Sequence, residues 1–158
     1  MIIQTPKFTI EVDVEKTKAY YDTAALISEG CDCSGCRNYE KAIDTISDEV
    51  KSFFKQLGVF MKRATEVFVI APNADGTMLY GGWYHVCGRV IDGESAWNTA
   101  DSNNMYLDEE KLHAITDKFK VTYGDGSYPV PDNFPRPVLQ LDIFADIPWV
   151  LEEKNDYL

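Results

Sequence analysis

The sequence is short of positive charge. Its 158 residues carry 15 Lys and Arg against 26 Asp and Glu, a formal net charge of −11. Nucleic acids and anionic membrane surfaces are held by clustered cations, so neither is an expected partner. No apolar run reaches the ~20 residues a helix needs to cross a bilayer. The N-terminus, Met1-Ile2-Ile3-Gln4-Thr5-Pro6, lacks the basic region and apolar core of a secretory signal. A cytoplasmic location is therefore expected. Histidine is scarce, with only His85 and His113. G-x-S-x-G, a Walker loop and H-E-x-x-H are all missing, which removes the commonest hydrolase, nucleotide and metalloprotease signatures.

What is present suits one α+β domain over residues 1–158. Hydrophobic residues make up 45%, enough for a core in a chain of this length. Phe8, Ile10, Val12 and Val14 alternate with polar residues as in a half-buried strand. Tyr20, Ala24 and Ile27 share one helical face, predicting a helix from about Lys16 to Ser28 with Gly30 ending it. From Tyr39 to Leu57 the apolar residues keep helical spacing. Ser47, followed by Asp48 and Glu49, marks a break and a new N-cap.

Glu66 to Ile70 reads as a central strand, and Met78 to Val90 as a long one. Gly81-Gly82 within it points to a bulge or a close backbone approach. Residues 92–104 read as a surface loop, and Asp108-Glu109-Glu110 as the start of a short helix carrying Leu112, His113 and Ile115. Phe119 to Tyr123 alternates as a strand that stops at Gly124-Asp125-Gly126, and Leu139 to Ile143 is the last strand. The expected fold is an antiparallel sheet of about five strands, with helices from the N-terminal third on one face.

The chain is organised around Cys31-Asp32-Cys33-Ser34-Gly35-Cys36-Arg37-Asn38-Tyr39, which holds three of the four cysteines within six residues. In a reducing compartment such thiols act as ligands or reactive groups rather than disulfide partners. Zinc is borderline-soft and accepts tetrahedral thiolate and imidazole ligands. Cys31, Cys33 and Cys36 are the expected structural zinc ligands. Cys87 is the expected fourth, with His85 the alternative, since both project from one face of the same strand. A C-x2-C pair at Cys33 and Cys36, at a helix start, also suits thiol redox chemistry.

Cys31 to Arg37 is at the same time C-x5-R, and it resembles the phosphate loop of low-molecular-weight tyrosine phosphatases and arsenate reductases. That resemblance implies Cys31 as nucleophile and Arg37 as oxyanion clamp. Two features depart from it: Leu26 to Gly30 reads as a helix end rather than a buried strand, and Asp32 places a negative charge in the loop. A wider resemblance runs through Cys31-x-Cys33-x2-Cys36-Arg37-Asn38-Tyr39, Asp48 to Phe54, Tyr80 to His85 and Ile147-Pro148-Trp149-Val150. Over these residues the chain resembles a family of small uncharacterised bacterial proteins, for which no activity is implied. The expected function is that of a non-enzymatic, zinc-stabilised domain that binds another protein, with acidity that suits a basic partner. The alternative is a thiol enzyme using the 31–37 loop.

Overall fold

In the computed structural model, residues 1–99, 104–124, 126 and 128–158 are described. The expected strand begins as β2, Phe8–Val12, whose Phe8, Ile10 and Val12 are all buried. A short strand, β1 (Ile2–Gln4), pairs with it; three residues with one buried side chain carry too little pattern to announce a strand. Asp13 ends β2 because its carboxylate accepts the Lys16 N–H at 3.0 Å, capping a helix. Helix α1 therefore runs Val14–Thr23, starting and stopping earlier than the periodicity predicted. A single turn, α2 (Ile27–Gly30), follows.

Helix α3 spans Ser34–Ala42 and tightens into a 3-10 turn at Ile43–Thr45. The break expected at Ser47 is present. Its hydroxyl caps the Val50 N–H of α4 (Asp48–Leu57), and Gly58 closes that helix with a φ of 82°.

Strand β3 (Glu66–Pro72) pairs with β4 (Met78–Gly93), the longest element of the molecule. The close approach expected at Gly81-Gly82 occurs where β3 lies against β4. A Cβ on Gly82 would stand 2.4 Å from the Glu66 carbonyl oxygen, and one on Gly81 would meet the Phe68 ring. The C-terminal part of the chain adds β7 (His113–Thr116), β8 (Phe119–Tyr123) and β9 (Val138–Ile147), after the ribbon β5 (Trp97–Thr99) and β6 (Met105–Leu107).

Seven of the described strands form one antiparallel sheet, rather than about five, and β5 and β6 pair apart from it. Its order is β1-β2-β4-β9-β8-β7, with β3 also on β4. Two segments differ from the sequence reading. Only Glu109–Lys111 turns, as a 3-10 turn capped by Asp108, and His113 to Thr116 then pairs along β8 instead of continuing a helix. Within the supposed 92–104 loop, residues up to Gly93 belong to β4 and Trp97–Thr99 to β5, while 100–103 lie outside the described residues. Strand β8 stops before Gly124 as expected; Asp125 also lies outside them.

Strand β4 carries two partners on one edge. β3 pairs as far as Trp83 and β2 begins at Gly88, so the backbone between them, which has β9 on its other edge, has no described strand on this one. Helix α1 fills that gap with side chains. The Tyr21 hydroxyl accepts the His85 N–H at 3.1 Å and donates to the His85 carbonyl at 2.7 Å. The Cys87 N–H donates to Thr17 Oγ1 at 3.0 Å, and the Cys87 carbonyl accepts the Asp13 N–H at 2.8 Å. The backbone groups of His85 and Cys87 thereby keep partners without a strand to supply them.

Tyr80 and Tyr84 of β4 meet the helices. Tyr84 packs on Phe54 of α4 at a ring separation of 5.0 Å, and Phe54 in turn on Phe119. The Tyr84 hydroxyl donates to the Met61 carbonyl and lies 2.9 Å from that of Tyr39. With Leu141, Ile143 and Ile147 fully buried on β9, the core is complete without any contribution from the cysteine loop beyond Cys36.

Candidate metal centre

The cysteine loop joins α2 to α3. The Cys31 N–H closes α2 by donating to the Ile27 carbonyl at 3.0 Å, and Cys31 itself is extended. Cys33 is the N-cap of α3, its carbonyl accepting the Arg37 N–H at 3.0 Å. Cys36 is one helical turn further on and faces inward, its sulfur 3.9 Å from the Val67 carbonyl. This chain path brings the three sulfurs together, all within 4.8 Å of one another, and all three thiols are free. Those of Cys31 and Cys33 are 3.3 Å apart. A tetrahedral zinc with Zn–S bonds of about 2.3 Å requires sulfurs separated by about 3.8 Å, so small shifts on the order of an ångström or less convert one arrangement into the other.

Local electrostatics differ across the cluster. At Cys33, burial pushes the thiol up, but hydrogen bonds from the Cys36 N–H, from the Cys31 and Cys36 side chains and from the Gly35 N–H outweigh it. The net effect lowers the Cys33 thiol, as the free N–H groups of a helix start do. Cys36 moves the other way. Burial, then its hydrogen bonds with the two neighbouring thiols, raise it well above the ordinary value. One ion shared by all three would reverse this logic by deprotonating the coordinated thiols.

The first turn of α3 is held from two sides. The Tyr80 hydroxyl donates to the Gly35 carbonyl at 2.7 Å. The C-terminal segment, residues 148–157, crosses the helix: Asn38 accepts the Val150 N–H at 2.7 Å and donates to the Pro148 carbonyl at 3.0 Å. Arg37 grips the Glu153 carboxylate with both terminal nitrogens, and its Nε donates to the Asp32 carbonyl at 2.8 Å. Gly35 leaves room for Tyr157, whose hydroxyl would stand 2.8 Å from a Cβ there.

From sequence, Ile147-Pro148-Trp149-Val150-Leu151 reads as a stretch that packs back on the body, and Ile147, Trp149 and Val150 do so; what sequence reasoning missed is its docking on α3 beside the cysteines. Its signal was the pairing of polar Arg37 and Asn38, next to the cysteines, with Pro148 to Glu153 at the far end of the chain.

The expected fourth ligands are not in the cluster. Val67, beside Cys36, pairs with Gly82 of β4. Cys87 is five residues further along that strand, roughly 16 Å at the usual rise per residue. Its sulfur faces the Arg136 carbonyl at 3.7 Å. His85 is fully buried, with Nδ1 3.0 Å from the Thr65 hydroxyl and its ring against Phe134. Among the described residues, the grouped metal-binding side chains are therefore Cys31, Cys33 and Cys36 alone. The phosphate-loop comparison fares no better at Arg37, because Glu153 and the Asp32 carbonyl already occupy the guanidinium that would clamp an oxyanion.

A shallow cleft of about 180 Å³ opens beside the cluster. Cys31 and Cys36 line it together with Leu26, Ile27, Gly30 and Val67. The chain matches no protein-family model, no curated protein and no solved structure.

Proposed function

We propose that Cys31, Cys33 and Cys36 bind one zinc ion, and that the ion fixes the α2–α3 loop of a non-enzymatic domain that binds another protein. The observation that carries the metal reading is the convergence of three free sulfurs within 4.8 Å on a loop with no apolar core of its own. Thiolates favour zinc over the harder magnesium and calcium ions. The binding half of the proposal is supported by the net charge of −11 and by Phe68 and Ile70, which β3 leaves about half exposed. A basic protein partner met in the cytoplasm fits both features, as does membership of the small bacterial family that the sequence resembles.

The metal is tested by purifying the protein without chelator and measuring its content. We expect about one zinc per chain, the value for a single tetrahedral site. Cys33→Ser is expected to lose the zinc, while Cys87→Ser and His85→Ala retain it. Metal-free protein with three freely titratable loop thiols would refute the reading.

Thiol redox chemistry is the second reading, favoured by the exposed Cys33 at the start of α3 with buried Cys36 one turn behind it. It predicts a reversible disulfide among these cysteines and no bound metal.

A further inference from the structure

A structural zinc site is closed by four protein ligands, whereas a site that binds or transforms something keeps three and leaves a position for an incoming donor. The cluster supplies three sulfurs. Cys87 and His85, which the sequence offered as a fourth, are engaged with the Arg136 carbonyl and Thr65. Beside the three lies the cleft of about 180 Å³, smaller than the 300–1,000 Å³ typical of pockets for drug-sized ligands. At about 10–15 Å³ per water-sized group, it has room for about a dozen heavy atoms. Its walls at Leu26, Ile27 and Val67 are aliphatic, and Glu66 is its one acidic or basic residue, so an anionic visitor finds no counter-charge there.

Building on the zinc reading, we propose that the ion's fourth position is open and accepts a small uncharged thiol entering through this cleft. The incoming thiol binds as a thiolate: its S–H proton passes to solvent, a coordinated water leaves, and one metal–sulfur bond forms. No electron is transferred. The aliphatic walls receive the alkyl part of the thiol. Both the net charge of −11 and Glu66 select against a thiol that carries its own carboxylate.

The test loads the full chain with cobalt(II) in place of zinc and follows the visible absorption, whose position and intensity report the coordination of the ion. Cobalt content is measured on the same samples. Titration with 2-mercaptoethanol is expected to change the spectrum saturably, and thioglycolate, of similar size but anionic, is expected to bind more weakly. Gly30→Leu supplies the control. A Cβ at Gly30 meets nothing within 4 Å, so the larger side chain fits the fold while narrowing the cleft mouth. It should raise the 2-mercaptoethanol midpoint about tenfold, the equivalent of losing roughly 1.4 kcal/mol of contact, with cobalt affinity unchanged.

A cobalt spectrum that neither thiol alters would overturn the open position while leaving the zinc reading intact. Thioglycolate binding as tightly as 2-mercaptoethanol, or a Gly30→Leu titration indistinguishable from the parent, would overturn entry through the cleft. Failure to take up either metal would remove the zinc reading, and the open position with it.

Discussion

His85 shows how a single residue ties stability to pH. The imidazole is fully buried, with Nδ1 on the Thr65 hydroxyl and, among the described residues, no hydrogen-bond partner at Nε2. Burial, and secondly the positive charge of Arg136, lower its pKa from 6.5 to about 4. The unfolded chain protonates this ring near 6.5, while the folded one refuses the proton until about 4. Between those values the unfolded state binds more protons, so stability falls as the pH falls through that window. Above it the contribution is constant, and below it no further loss arises from this group. The full effect is on the order of 3 kcal/mol, since each pH unit across the window is worth about 1.4 kcal/mol. Urea unfolding of the parent and of His85→Gln at several values from pH 7 to pH 4 would measure it. The parent is expected to lose more stability over that range, by about one proton's worth of slope. Parallel pH profiles would show that His85 titrates normally.

At the scale of elements, α1 does the work of a missing strand. Tyr21→Phe removes the hydroxyl that serves both the N–H and the carbonyl of His85, leaving two buried backbone groups without partners. At about 1–3 kcal/mol per stranded group, the loss is expected to be roughly 2–6 kcal/mol, read as a lower urea midpoint. A midpoint within error of the parent would mean that water replaces the hydroxyl.

Little of this arrangement was legible beforehand, because Tyr21 reads from its spacing only as one more apolar helix residue. Elements with a local signature were legible. These include the alternation of Phe8, Ile10 and Val12, the Ser47 cap, and the tight glycines of β4, each set by residues adjacent in sequence. The 113–116 segment was misread because Leu112 and Ile115 satisfy helical spacing over too short a span, and pairing with β8 outweighs it. The cysteine cluster was legible for the same reason that β2 was: its members are neighbours in the chain. A fourth ligand would have required knowing the register between β3 and β4, which no local pattern carries.

For the whole molecule, the hydrophobic core and the candidate metal centre are distinct sources of order. Phe54, Tyr84, Leu141 and Ile143 are fully buried, and of the three cluster cysteines only Cys36 reaches the core they belong to. Structural zinc contributes roughly 10–16 kcal/mol in peptides that have no other core, but a domain with its own core depends on it much less. Chelation of protein loaded with zinc is therefore expected to lower the melting temperature while leaving the far-ultraviolet circular dichroism of the sheet intact at room temperature. Complete loss of that signal on chelation would mean that the sheet cannot form without the ion.

The edge of β4 between β3 and β2 has a further consequence, for amide exchange with heavy water. The His85 and Cys87 N–H groups point to the edge of β4 where no described strand runs, the usual setting for amides that exchange quickly. Here both are sealed by hydroxyls from one helix, Tyr21 and Thr17. Their protons can be released only when α1 lifts away as a unit or the whole protein unfolds. Site-resolved exchange should show these two amides leaving together at a common rate, slower than those at the exposed end of β4 near Gly93. Thr17→Val should hasten Cys87 first. If the pair exchange independently at loop-like rates in the parent protein, α1 does not act as a latch on the sheet.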